Sequence, residues 1–372
     1  MAVRLDRLWA RDELPEWCRV VAESTESVRF GDAATDALHD GDEWVDVRRA
    51  VDQHSMLPEI VIELDDVTVS STGGMWRGGE PVLGKAWGLV SVADDSDAEL
   101  RSTPPIVELS GTHGSVVQHA RAFGHWLLQR LPRLHSLNRT AAPPRMISVE
   151  LPYDDQPVFD SCGILAGDVH RLKRVPAARA TLERVALTTD LAPPSGDRSI
   201  DAGRLAALVD DLDQRWRSAL EQSTSSADVY ITRRAVRHER DGCSNGDQLE
   251  RFFADRGYTV VYPPDLTLPE QFALFRGARS VVGEMGSGMH WAIVCAPETS
   301  ITYLTPRSGT RGHPFDLDRK SWMRAIADAR GLHFGQIIAN PDALRNAWAA
   351  DLRRVSAAWS SRPDSIAPHS PR

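Results

Sequence analysis

Apolar and polar positions alternate most clearly in the C-terminal half. Short apolar runs at 229–232, 259–262, 280–282 and 301–304 read as strands. The stretches between them have helical spacing. Leu249, Phe252 and Phe253 share one face, and Phe272 and Phe275 share another. Ser244 with Asp247 and Thr267 with Glu270 have the spacing of capping boxes. Gly257 would stop the first helix, and Pro269 fits the first turn of the second. A glycine-rich turn, Gly286-Ser287-Gly288, follows the third run and leads into an apolar helix to Ala296. Four strand–helix repeats predict a parallel, doubly wound sheet, whose ligands sit at the carboxyl ends of the strands.

The N-terminal half is less regular. Ile60–Ser70 alternates like a strand and ends at the Gly73-Gly74 turn. Further strands are expected at 107–109, 146–151, 171–175 and 184–188. A helix is expected over 115–137, with Phe123, Trp126, Leu127, Leu131 and Leu134 on one face. Pro132 has no N–H for the carbonyl of Leu128, so that helix kinks or restarts there. A helix over 201–222 leads to a short polar linker, 223–226, and a last helix over 341–359 carries Leu344, Trp348, Leu352, Val355 and Trp359.

At 372 residues, two domains are expected: 1–222, then 227–340, followed by the helix 341–360 and a Ser/Pro-rich, disordered tail, 361–372. The net charge of −9 and pI near 5.8 argue against a general nucleic-acid binder. Lys85, Lys173 and Lys320 are the only lysines, a bias that reads as base composition. Cys18, Cys162, Cys243 and Cys295 match no metal spacing and read as reduced thiols of a cytosolic protein. The charged N-terminus lacks a secretory apolar core, and no apolar run approaches the roughly 18 residues of a membrane span.

Candidate chemistry gathers at two places. The first is the glycine turn. Glycines let backbone turn tightly and approach a ligand, and the first N–H groups of a helix, with its dipole, suit a diphosphate. Arg233 and Arg234 follow the first strand of the same sheet, and Arg237 and Arg240 extend the basic run. A guanidinium there can pair two phosphate oxygens, although a solvated charged loop has the same composition. Glu284 lies inside the turn; it would point away from a diphosphate and meet a sugar hydroxyl, act as a base, or be an ordinary loop carboxylate. Met285 and Met289 read as packing residues. The second place is His125, which lies opposite the apolar face of its helix and beside Pro132. A cleft residue and a solvated surface histidine both fit that wheel position.

Together these segments resemble glycosyltransferase family 61, the group often described as capsular polysaccharide biosynthesis proteins. The resemblance spans about 57–340 and is strongest over 228–306. Tyr230-Ile231-Thr232-Arg233-Arg234 is similar to the family's Tyr-Ile-Ser-Arg-Arg strand end. Gly257-Tyr258-Thr259-Val260-Val261, Leu268-Pro269-Glu270-Gln271 and Thr305-Pro306 fall in matching places. The turn Gly-x-His-Gly-Ala-Gly-Leu-x-Asn corresponds to 283–291, and Phe123-Gly124-His125-Trp126-Leu127-Leu128 with Leu131-Pro132-Arg133-Leu134 to the family's Tyr-x-His-Trp-Leu and Leu-Pro-Arg-Leu helix. Three departures stand out. Gly246 replaces a Glu, Met285 replaces the His of the turn, and Trp291 replaces its Asn. His290 is near but lies on another side of the helix start.

The resemblance implies a GT-B fold: two Rossmann-like domains with a cleft between them, the last helix crossing back to the first domain. It implies an inverting, metal-independent transfer of a hexose or pentose from a nucleotide diphosphate sugar to a glycan, lipid-linked or small-molecule hydroxyl, without cofactor. A bacterial cytoplasmic protein, peripheral at most to the inner membrane face, would fit. Gly283, Gly286, Ser287 and Gly288, with Met289 and Thr305, would line the donor site. Arg233 and Arg234 would offset the leaving diphosphate's charge, and Arg133 would lie on the acceptor side. His125 is the first candidate for the base, Glu284 the second. Rival readings are a polysaccharide pyruvyl transferase and a degenerate, non-catalytic scaffold. An NAD-dependent dehydrogenase fits poorly, because the glycine turn follows the third strand rather than the first.

Overall fold

The computed structural model describes residues 3–4, 14–24, 36–40, 43–47, 59–83, 87, 107–117, 123–151, 155–173, 178–191, 200–222, 227–236, 242–306, 322–340 and 348–363. The chain is mixed α/β and divides into two units. One comprises Met1–Val28 with His54–Ser195, the other Arg29–Gln53 with Gly196–Arg372. Residues 29–53 and 196–222, expected with the N-terminal domain, thus belong to the second unit.

The first unit is built on a nine-stranded mixed sheet. Its centre is the long strand Ile60–Ser70, antiparallel to Arg179–Thr188 on one side and to Cys18–Glu23 and Met75–Arg77 on the other. From Arg179–Thr188 the sheet continues in parallel through Val107–Ser115, Arg145–Val149 and Val169–Leu172. The sheet is therefore mixed, with antiparallel pairs at its centre, unlike the parallel sheet expected of a Rossmann-like domain. Ile60, Ile62, Leu64, Val67, Val69, Leu182, Val185 and Leu187 form its apolar centre.

Residues 107–115, divided at sequence level between a strand and a helix start, form one strand. Gly111 in its middle takes φ 80°, and the strand closes on buried Gly114, where a Cβ would meet Met146, Leu137 and Pro144 within 3.0 Å. The helix begins later. It runs as Phe123–His125, widens to a π-helical turn over Trp126–Arg130, and resumes as Leu131–Asn138. The N–H of Leu131 reaches the carbonyl of Trp126, five residues back. That wider turn accommodates Pro132, which has no hydrogen to donate. All residues from Trp126 to Leu137 are buried, so the helix runs through the interior rather than presenting one apolar face.

The second unit has seven strands in the order Thr259–Val261, Asp228–Ile231, Ser280–Glu284, Ser300–Pro306, His333–Asn340, Asp36–Asp40, Glu43–Val47. All pairings are parallel except the last, an antiparallel hairpin from the N-terminal region that extends the sheet edge. The capping box at Thr267 and Glu270 forms as expected. The one at Ser244 does not. The helix there starts at Gly246 behind Asn245, and the Ser244 hydroxyl donates to the carbonyl of Trp348 instead. Gly257 ends that segment at φ 83°. The helix over 201–222 breaks at Trp216 into Ala202–Arg215 and Arg217–Gln222. Trp216 packs edge-on against Phe272, and Asp213 pairs with Arg276, within this unit.

The last helix is shorter than its spacing suggests. Trp348 forms a bridge with Cys243, and the helix is Leu352–Ser360, capped by Asp351. Asn245 holds the preceding segment by accepting from the Ala350 N–H and donating to its carbonyl. Trp359 then packs on Phe253 and Tyr258, ring to ring at 5.1 and 5.6 Å. The helix expected to cross back thus completes the core of its own unit; 341–347 and the tail 364–372 lie outside the described residues. The four cysteines form no disulfide, and burial pushes the Cys18 thiol up to about 11 and that of Cys295 to about 12. Replacing Trp359 by Ala should cost about 3–5 kcal/mol, the range for truncating a buried aromatic ring. Urea unfolding followed by circular dichroism reads that loss.

Candidate functional site

The second unit's parallel strands, numbered along the chain from Asp228–Ile231, lie in the order 2-1-3-4-5. The order reverses between strands 1 and 3, Asp228–Ile231 and Ser280–Glu284. Connections leaving adjacent strands in opposite directions open a crevice at their carboxyl ends, where open α/β sheets bind ligands. Thr232-Arg233-Arg234 follows strand 1, and Met285-Gly286-Ser287 follows strand 3.

Arg233 lies directly against Gly286. A Cβ on that glycine would stand 2.7 Å from the arginine Nε and 2.8 Å from its Cδ. The Arg233 Nη1 donates to the carbonyl of Met285 at 2.5 Å. Gly286 itself is extended, φ 165° and ψ 166°, a conformation open to any residue. Gly283 and Gly288 do not adopt left-handed backbone angles either. The glycines thus serve close approach rather than the tight turning expected from sequence. At Gly283 the space is taken by the buried Met289, whose Sδ would be 2.2 Å from an added Cβ. At Gly288 the nearest atoms are 3.6 and 3.7 Å away.

The apolar helix after the turn is a 3₁₀ helix, Ser287–Val294, with the Met289 N–H returning to Gly286. The N–H groups of Ser287 and Gly288 therefore have no acceptor within the helix and begin its positive end. The Gly286 N–H donates to the Tyr303 hydroxyl at 3.1 Å. Arg234 is exposed, pairs with Asp265 and stacks 4.9 Å over the Tyr262 ring, so the loop after strand 2 joins the same crevice end. Arg237 and Arg240 lie outside the described residues.

Three expected donor-side or catalytic side chains are interior. Met289 is fully buried beneath Gly283. Thr305 is fully buried and accepts from Gln336 Nε2 at 3.0 Å. Glu284 is the last residue of its strand, 1% exposed, and accepts from the Tyr230 hydroxyl at 3.1 Å. Burial, then the neighbouring Glu284, push the Tyr230 hydroxyl well above its usual range. Trp291, in place of the family Asn, is core: its Nε1 donates to Gln271 and its ring stacks on Phe275. Met285 is buried, while its N–H extends the sheet to Leu304.

His125 and Arg133 belong to the first unit. His125 is half-buried at the start of the π-helical turn, its Nδ1 3.0 Å from Gln129 Oε1. Arg133, expected to meet an acceptor, is turned inward. Its Nε and Nη2 pair with Asp190 at 2.6 and 3.0 Å, and its remaining donors reach the carbonyls of Val117 and Trp87. It ties three separated segments together. Nearby, burial raises the Asp155 carboxyl above its usual range, against the pull of Arg171 and Arg130. Sequence reasoning passed over Tyr303, Asp265, Tyr262 and Gln129. Tyr262 and Asp265 follow the end of strand 2, Tyr303 lies within strand 4, and Gln129 is four residues from His125, a spacing that signals helical neighbours.

Among the described residues, no group of three or more His, Cys, Asp or Glu side chains is placed to hold a metal ion. No described helix is long and apolar enough to cross a membrane. A comparison with protein families finds that residues 123–302 match the family described as Glycosyltransferase 61, a span that includes both His125 and the glycine turn. No curated protein matches the chain.

Two stability predictions follow from these placements. Arg133→Ala strands the buried Asp190 carboxylate and should cost about 3–5 kcal/mol in denaturant unfolding. Gly283→Ala collides with Met289 and should cost about 1–3 kcal/mol, whereas Gly288→Ala, whose Cβ would meet Ile231 and Pro263 at ordinary contact distances, should unfold at nearly the wild-type midpoint.

Proposed function

We propose that this chain, whose residues 123–302 belong to glycosyltransferase family 61, transfers a sugar from a nucleotide diphosphate sugar to a hydroxyl acceptor. The observation that supports the donor site is Arg233 packed on Gly286 where the strand order reverses. In this reading the diphosphate lies along the Gly286-Ser287-Gly288 backbone. The Ser287 and Gly288 N–H groups and the Arg233 guanidinium face its oxygens, with Arg234 beside them. These groups take the part of a metal in offsetting the charge on the leaving diphosphate.

The reaction is a single displacement with inversion. The acceptor oxygen bonds to the anomeric carbon as the bond from that carbon to the diphosphate oxygen breaks. The acceptor proton passes to the lone pair of a His125 ring nitrogen. The nucleoside diphosphate departs. The GT-B arrangement, with the second unit holding the donor and the first presenting the acceptor, belongs to this proposal, as do a cytoplasmic setting and a glycan, lipid-linked or small-molecule acceptor. Glu284 is a weaker candidate for the base, since its carboxylate is buried with Tyr230. A second reading, a binding protein without turnover, is favoured by Met285, which puts a non-titrating side chain where the family carries His.

Thermal unfolding against a panel of nucleotides and nucleotide sugars tests the donor site, because a ligand of the folded state raises its stability by mass action. One nucleotide class should raise the melting temperature equally with and without EDTA. The shift should vanish in Arg233→Ala and shrink in Gly286→Ala, whose Cβ displaces the guanidinium. No shift with any nucleotide would sink the donor assignment. His125→Ala should keep the shift and lose turnover; normal turnover would remove His125 from the reaction.

A further inference from the structure

A general base must hold its lone pair on the atom that meets the proton, and a neutral imidazole carries its one hydrogen on either nitrogen. The partner at one ring nitrogen therefore decides which atom of the other end is basic. In the first unit the partner of His125 Nδ1 is the side-chain oxygen of Gln129, at 3.0 Å. An amide oxygen can only accept, so Nδ1 must carry the hydrogen in that contact. Gln129 is 3% exposed and lies inside the π-helical turn Trp126–Arg130, between buried Leu128 and Arg130. Burial limits the rotamers and water contacts through which its amide could turn away. The turn itself is fixed from below by Pro132 and by the Leu131 N–H reaching Trp126. π-Helical turns cost hydrogen-bond geometry and recur at functional sites.

We propose that Gln129 is a positioning residue for His125: its oxygen holds the hydrogen on Nδ1 and leaves the basic lone pair on Nε2, the atom that takes the acceptor proton. This rests on the reading of His125 as base. Gln129 touches neither sugar nor acceptor in this account and acts only through the ring.

The test reads the ring directly. Full-length protein labelled with ¹⁵N-histidine is studied by long-range ¹H–¹⁵N NMR at about pH 8.5, some two units above the ordinary imidazole value. The His125 signals are assigned by their loss in His125→Ala. Wild type should show the Nδ1–H form. Gln129→Leu, close in volume, should move His125 toward the Nε2–H form and lower kcat on the order of tenfold to a hundredfold, with donor KM unchanged. Gln129→Glu, whose carboxylate oxygens accept as the amide oxygen does, should restore the Nδ1–H form and most of kcat. A wild-type ring already in the Nε2–H form, or one unchanged in Gln129→Leu at an unaltered melting temperature, would overturn the proposal. An Nδ1–H ring in a protein that turns over normally as His125→Ala would overturn the base assignment, and with it the catalytic purpose of Gln129, while the pairing itself stood.

Discussion

A guanidinium packed against a residue without a side chain sets the geometry of the crevice in the second unit. Arg233 can lie where it does only because position 286 carries no Cβ, and Gly286 is brought to it because the chain steps over strand 1 when it goes from strand 2 to strand 3. The remaining features of the crevice follow from that contact. Met285 spends its carbonyl on the arginine and its N–H on Leu304, so the turn stays tied to the sheet. Tyr303 supports Gly286 from strand 4, and Arg234, Asp265 and Tyr262 close the side toward strand 2. Positive charge and backbone donors are thus brought together without a buried cation, the arrangement that suits an anionic leaving group.

Much of this was legible in the residues, because strand–helix alternation and Gly/Pro punctuation are local signals. The Thr267 capping box formed because both its bonds are local: Glu270 accepts from the Thr267 N–H, and the Thr267 hydroxyl accepts from the Glu270 N–H. At Ser244 the same pattern failed because a distant carbonyl, that of Trp348, captured the hydroxyl. The division of the chain was illegible for a similar reason. Asp36–Asp40 joins the second sheet by pairing with His333–Asn340, a contact across most of the sequence that no local pattern announces. The glycines were recognised as a binding signature, but their physical reason was not: the backbone angles are ordinary, and the requirement is space for Arg233 and Met289.

In the first unit the histidine was legible and its surroundings were not. Helical-wheel reasoning assumes about 3.6 residues per turn, and the segment around Pro132 does not keep that period. The wider turn buries residues on every side, while Gln129, four residues on, still pairs with His125. Arg133 is an internal tie to Asp190, Val117 and Trp87, partners from distant segments that no local pattern announces. A charged residue in a string that resembles a family motif is therefore not by itself a contact with substrate. Its hydrogen-bond partners decide.

The central claim is that Arg233 and the 286–288 backbone hold a diphosphate. A crystal structure of the protein with the nucleoside diphosphate that stabilises it most tests this directly. The account predicts phosphate oxygens within hydrogen-bond distance, about 2.7–3.1 Å, of the Arg233 guanidinium and the Ser287 and Gly288 N–H groups. A diphosphate bound elsewhere, with Arg233 still resting on an unoccupied turn, would contradict it.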